Sequence, residues 1–260
     1  MPLELLAWYT HLPTFALVAS RLGGLIMFQP MLGALSIPAR MRAMLILGLA
    51  AVVTPIVSLR QDMPSDAWML AIACAQEFAL GILLGLSVRL CFLGLQIGGT
   101  LIAQEAGLAY GQTIDPTTDY EQDFLSVFYV QLASVIFLIV GGHRVLVTAA
   151  LDTFQSIPLL SGTTDLDAAN DLLFSALGLG TELGLRIAAP IVLTMLLVNT
   201  VLGFLSRSMP QLNLMTVGFS LKTLVTLSLL AVAIPAGMDA FLDSLQEVTD
   251  WIGDLRVVQT

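Results

Sequence analysis

The 260-residue chain is 57% hydrophobic and only 11% charged, with a mean hydropathy of +0.90 and a formal net charge of −9. Soluble domains carry roughly 25% charged residues, and one soluble core of this length could not hide so many apolar side chains. An ordinary cytosolic enzyme is excluded, and the composition points to an integral membrane protein or a subunit buried in a membrane complex. Of the ten basic residues only Lys222 is a lysine, and no basic cluster exists to bind phosphates, so nucleic acid is not expected as a partner. Cys74 and Cys91 lie in one apolar stretch and read as small packing residues rather than a disulfide or metal pair. The start, Met1-Pro2-Leu3-Glu4, has no positive n-region, so no cleaved signal peptide is expected.

Six apolar zones follow in order, then an amphipathic tail. The first spans Thr14 to Leu35, with Pro38, Arg40 and Arg42 after it, and the second spans Met41 to Leu59. The third, Ala67 to Ala103, is too long for one comfortable membrane span. It reads either as one very long helix or as a hairpin turning near Ser87 to Gly94. A polar connection, 104–123, leads to the fourth zone, Phe124 to Leu151. An acidic linker from Asp152 to Asp171 precedes the fifth, Leu172 to Leu205, which Pro190 interrupts, and the sixth runs from Leu214 to Pro235. None alternates like a β-barrel strand, so the expected fold is all-α, with helices or helical hairpins in a membrane or membrane complex. The arginines near the zone ends do not agree on a side, and no topology follows from them.

Three glycine pairs stand four residues apart on one helical face: Gly81 and Gly85, Gly94 and Gly98, Gly180 and Gly184. Such pairs let helix backbones approach closely, within the chain or between subunits. Arg21, Glu77, Arg89, Glu182, Arg186 and Lys222 lie inside apolar runs. A charge at bilayer depth costs at least ~2.5–3.5 kcal/mol, so each needs a partner, water, or a place outside the lipid. Glu182 and Arg186 can pair along one helix face, whereas Glu77 and Arg89 are too far apart to meet on one straight helix. Two explanations compete: the ion relay of a secondary transporter using Glu77 or Glu182, or helices packed against other protein. Broken helices fit the first explanation, and re-entrant hairpins fit the second.

No phosphate loop, zinc-protease motif or C-x-x-C is present, and Leu183 stands where a dinucleotide loop begun at Gly178 would need its third glycine. With only His11 and His143, a nucleophile–base pair or a histidine metal site has little material, so neither enzyme activity nor a cofactor is expected. His143 reads as a residue at a helix break, with a proton relay as the less favoured role. The segment from Glu105 to Tyr120 is the better functional candidate. Gly107 and Gly111 weaken helix, Asp115-Pro116 favours a turn, and Leu108, Tyr110 and Ile114 are apolar anchors in a polar loop. A solvated connector and a lid or constriction both fit, and the length and anchors argue for the latter.

Taken together, these residues resemble the FliR family of flagellar type III export-gate proteins, whose virulence-system counterpart is SctT. The resemblance covers nearly the whole chain and rests on order and spacing. Arg21, Pro30, Pro38 and Arg42 fit the family's first helix and proline–arginine turn, and Glu77, Gly81 and Gly85 fit its third-helix pattern. Gly107-Leu108 through Asp115-Pro116 is similar to the family's pore-plugging loop. Gly142-His143, Asp152-Thr153-Phe154 and Pro158 follow, and Arg207-Ser208-Met209-Pro210-Gln211-Leu212-Asn213 with Gly218-Phe219 and Lys222 is the most specific stretch. Two positions depart from it: Thr113 where many relatives carry phenylalanine, and Ser220 where they often carry proline.

The resemblance implies a single export-gate domain over residues 1–260, with 104–123 as the plug loop. It implies assembly with FliP-like and FliQ-like subunits, contact with FlhB-like and FlhA-like export proteins, and passage of unfolded subunits. The place implied is the bacterial inner membrane at the flagellar basal body. Gly107, Leu108, Tyr110, Gly111, Thr113, Ile114, Asp115 and Pro116 would then gate the pore. The interior charges Arg21, Glu77, Arg89, Glu182 and Arg186 would face protein neighbours, and the packing glycines would serve intersubunit contact as much as intrachain contact.

The tail, 239–256, places Phe241, Leu242, Leu245, Val248, Ile252 and Leu255 at helical spacing, with Asp243, Glu247, Asp250 and Asp254 mostly opposite. A membrane-surface helix would carry basic residues there, so this reads as a helix docked on protein. Deleting residues 239–260 is expected to lower recovery of the assembled complex more than the amount of chain in the membrane fraction. Unchanged recovery would exclude docking.

Overall fold

The computed structural model describes residues 2–29, 37–57, 66–108, 123–160, 166–209 and 214–254, and among these the regular elements are helices. They are α1 (Pro2–Phe28), α2 (Ala39–Val53), α3 (Ala67–Ala106), α4 (Phe124–Val140), α5 (Gly142–Ser156), α6 (Leu166–Ser208) and α7 (Leu214–Asp254). The chain is therefore an all-α protein. Three of the helices are long and apolar enough to cross a membrane, or up to four if α4 and α5 count together.

The third zone is one helix, not a hairpin. Nothing between Ala67 and Ala106 breaks it: there is no proline, and Ser87 donates its hydroxyl back to the Leu83 carbonyl at 2.8 Å. Pro190 lies inside α6 and Pro235 inside α7, and neither ends its helix. Each proline leaves the carbonyl four residues before it, Arg186 or Ala231, without its helical N–H donor, and packing in long apolar helices tolerates that loss. In α6 the charge placement also helps, with Asp167 in the first turn and Arg207 in the last. The acidic linker is shorter than its composition implies, because α5 continues to Ser156 and α6 begins at Leu166. The fourth zone, in contrast, divides at Gly141, which adopts a left-handed φ of 81° between α4 and α5.

The helices form two compact units. The first comprises Met1–Leu90, Gly141–Leu177 and Leu245–Thr260, and the second comprises Cys91–Val140 and Gly178–Ser244. In the first, Leu17, Val18 and Leu22 of α1 pack with Ala50 and Val53 of α2, Ala73 of α3 and Phe154 of α5. In the second, the Phe92 ring meets Phe137 and Phe241 edge-on, at centroid distances of 5.8 and 4.9 Å. The amphipathic tail is the end of α7 rather than a separate helix. Its Phe241, Leu245, Val248 and Ile252 are buried within this chain, while Asp243, Glu247, Asp250 and Asp254 are exposed.

The glycine pairs mark where helix backbones touch. In the second unit, a Cβ on Gly94 of α3 would overlap the Gly180 carbonyl of α6. One on Gly184 would sit 2.7 Å from the Gly94 carbonyl oxygen, and one on Gly98 2.9 Å from that of Gly184. These three contacts leave no room for a methyl group, and since they are backbone to backbone, no side chain can give way. Gly178, also on α6, has no atom within 4 Å of such a Cβ. Gly94→Val is therefore expected to lower the unfolding midpoint in detergent by the equivalent of ~1–3 kcal/mol or more, the range for overpacking. Gly178→Ala should leave the midpoint unchanged or raise it by up to ~1 kcal/mol through helix propensity.

Candidate functional site

On α3, Glu77, Gly81 and Gly85 follow one another at four-residue spacing and share one face. That face meets α1 so closely that a Cβ on Gly81 would overlap the Arg21 carbonyl, and one on Gly85 would sit 2.6 Å from the Leu25 carbonyl oxygen. Gly24 of α1 is equally tight, against the Phe78 carbonyl. Backbone contact of this kind brings Arg21 alongside Glu77. The Arg21 Nε donates to Glu77 Oε2 at 2.6 Å, and Nη2 lies 2.6 Å from the same oxygen as an ion-pair contact rather than a hydrogen bond. Both side chains are almost fully enclosed, 1% and 7% exposed.

The rest of the guanidinium serves α5. Nη1 donates to the Thr153 carbonyl at 3.1 Å, to the Ile157 carbonyl at 3.0 Å and to the Thr153 hydroxyl at 3.3 Å. Both carbonyls sit at the C-terminal end of α5, where the helix dipole is negative; that of Thr153 already accepts the Ile157 N–H, and that of Ile157 lies beyond the last helical residue. The guanidinium carbon also lies 4.4 Å from the centroid of the Phe154 ring, a cation–π contact. One side chain thus neutralises an acid on α3, caps α5 and stacks on its ring.

The other interior charges are placed differently. Arg89, Glu182 and Arg186 are exposed, Lys222 is half-buried, and Glu182 and Arg186 form no ion pair with each other. His143 is exposed in the first turn of α5, beside buried Gly142. Arg207 and Phe219 are exposed and Gly218 is buried. Among the described residues, no group of three or more His, Cys, Asp or Glu could hold a metal ion.

Of the loop segment, the structure describes the start. Gly107 takes φ 77° and its N–H bonds the Gln104 carbonyl at 3.1 Å, which ends α3 in the left-handed manner glycine allows. Two residues earlier, Glu105 Oε2 accepts the Asn199 amide of α6 at 3.4 Å. Leu108 is half-buried. Tyr110, Gly111, Thr113, Ile114, Asp115 and Pro116 lie outside the described residues, as do Pro210, Gln211 and Asn213.

Sequence reasoning found Arg21 and Glu77 as interior charges but did not pair them, and it missed Gly24, Asn199 and the capping of α5. The adjacent glycines Gly23-Gly24, two residues after Arg21, were the available signal for a close helix crossing there. The packing glycines make their close contacts within the chain.

This is an all-helical membrane protein that closes its helix crossings with glycine and one of its helix ends with a buried ion pair. It belongs to family 1 of the bacterial export proteins, whose sequence profile matches residues 12–248. The chain is 29% identical over 232 residues to the flagellar biosynthetic protein FliR of Escherichia coli (strain K12), covering 88% of this chain and 87% of that one. It is 32% identical over 203 residues to FliR of Pectobacterium carotovorum subsp. carotovorum, covering 78% and 74%. The surface presentation of antigens protein SpaR of Shigella sonnei is 24% identical over 231 residues, covering 86% and 88%.

Removing one partner of the buried pair strands the other charge. Arg21→Met or Glu77→Met alone is expected to cost ~3–5 kcal/mol, whereas the double variant should cost less than the sum of the two. Detergent unfolding of the four proteins reads the coupling directly.

Proposed function

We propose that this chain is the FliR-type subunit of a flagellar type III export gate, in the bacterial inner membrane at the flagellar basal body. The observation that carries this reading is similarity along most of the chain to proteins named for flagellar biosynthesis. The identity to SpaR is lower, at 24%, which favours a flagellum over an injectisome. The outward faces of the long helices support a place among other subunits. The most apolar stretch of α3 is 56% buried inside the chain, but those of α6 and α7 are only 22% and 17% buried. At 1.5 Å per residue each of these helices is ~60 Å long, about twice a hydrocarbon core of ~30 Å, so lipid alone cannot cover them. FliP-like and FliQ-like subunits are the neighbours we assign, with FlhB-like and FlhA-like proteins beside them.

In this reading, the segment 104–123 closes the conduit until an unfolded export substrate displaces it. Leu108, Tyr110 and Ile114 supply the apolar seal, Asp115-Pro116 sets the turn, and Gly107 and Gly111 provide the freedom to move, with Thr113 at the seal's polar position. Energy comes from elsewhere in the apparatus. The transporter alternative gains no support: Glu77, one of the acids it would use, is held by Arg21 within the chain.

Native mass spectrometry of the tagged chain, expressed alone and with its genomic neighbours, tests the assignment. One copy in a large hetero-oligomer, formed only with small hydrophobic partners, is expected, whereas a monomer or homodimer under both conditions would overturn it. Replacing residues 107–113 by a short flexible linker should raise the leak of small ions across the membrane in cells carrying the assembled gate. An unchanged leak would exclude the plug role.

A further inference from the structure

In the first unit, the turn that ends α2 and the final turns of α5 leave a groove of about 490 Å³. Its floor is apolar and continuous with the core, through Val53, Phe154 and Pro158, all buried. Phe154 is held in place from within the unit, since the Arg21 guanidinium lies over its ring. The rim carries Ile56, 77% exposed, together with the exposed side chains of Asp152 and Gln155.

Among the described residues, the charge of this groove is unbalanced. No cation among the described residues pairs with Asp152. Its position one turn from the end of α5 places a carboxylate near the negative end of the helix dipole, and α5 has no basic residue in its last turn. Arg21 does reach the α5 carbonyls, but Glu77 already cancels its charge. An incoming cation would therefore gain from Asp152 and from the helix end together, while an aliphatic side chain beside it covered Ile56 and filled the groove.

We propose that this groove docks a segment of another export-gate subunit that presents an aliphatic side chain next to a lysine or arginine. The inference rests on the export-gate reading above. A phospholipid acyl chain suits the floor, but any headgroup ammonium comes with an anionic phosphate that Asp152 repels, and the rim favours protein.

The experiment places the photocrosslinker p-benzoylphenylalanine at Ile56 or Gln155 of the full-length chain, in membranes that hold the assembled gate. Crosslinks should map to one export-gate subunit, at a peptide carrying a basic residue near the attachment point. Asp152→Lys should lower crosslink yield about tenfold and Asp152→Asn less, while Asp152→Glu retains it. If Asp152→Lys lowers the level of the chain itself, the Asn and Glu variants make the comparison. Crosslinks only to lipid, only within this chain, or insensitive to every Asp152 change would overturn docking. Should the wild-type chain co-purify with export subunits yet show such crosslinks, only this inference falls. Should it co-purify with none, the export-gate reading falls with it.

Discussion

A guanidinium at 1% exposure has lost nearly all of its water, and α1, α3 and α5 are arranged around that requirement. Desolvating an arginine costs several kcal/mol, and a single carboxylate returns that only when the remaining donors also find acceptors. Glu77 supplies the countercharge and accepts from Nε, and the Thr153 and Ile157 carbonyls take the Nη1 donors, while Nη2 keeps only its ion-pair contact with Glu77. The end of α5 gains from the arginine in turn, because Nη1 reaches the Ile157 carbonyl beyond the last helical residue and adds a second donor to the Thr153 carbonyl, which the Ile157 N–H already bonds. The glycine crossing of α1 on α3 makes the geometry possible: with a side chain at Gly81 the backbones would separate, and Arg21 would no longer sit beside Glu77.

The same economy of space governs the second unit. Where a helix already sits among apolar surroundings, burial of more hydrocarbon gives little reason for two helices to associate, and close packing has to supply it. Gly94, Gly98, Gly180 and Gly184 do so by letting two backbones touch over a full turn. Beyond that contact α6 turns most of its apolar surface outward, with Leu193, Leu197 and Phe204 each more than half exposed. A protein made this way is incomplete as an isolated object. Its interior is locked by backbone contact, and its exterior is suited to neighbours, which is the character expected of one subunit in an export gate.

In the gate proposed for this chain, the segment assigned to gating and the buried ion pair lie on different residues. Gly107 stops α3 with a left-handed φ, and Glu105 just before it is tied by Asn199 to α6, so the helix end from which the proposed gating segment starts is anchored. Anchoring matters for any gating segment, because a displaced loop returns to its closed position only if its base has not moved.

Much of this is legible in the sequence, and the division follows from the range of the interactions. Membrane class and all-helical fold came from composition and from the lack of strand alternation, properties that sum along the chain and need no tertiary partner. The glycine pairs were visible because i,i+4 spacing is local geometry, and Gly107 was legible as a helix-weakening residue, though α3 runs to Ala106, past the Ala103 at which the apolar zone ends. The helix through Ser87 was left open, since a long apolar run carries no periodic signal to tell a straight helix from a hairpin. What the tertiary structure decided was partnership. Glu77 lies 56 residues from Arg21 and the Thr153 carbonyl 132, and no local pattern encodes which of several interior charges will meet across such distances. Arg21 and Glu77 are paired while Arg89, Glu182 and Arg186 stay exposed because chain topology, acting through close glycine contacts, chooses which helix faces meet.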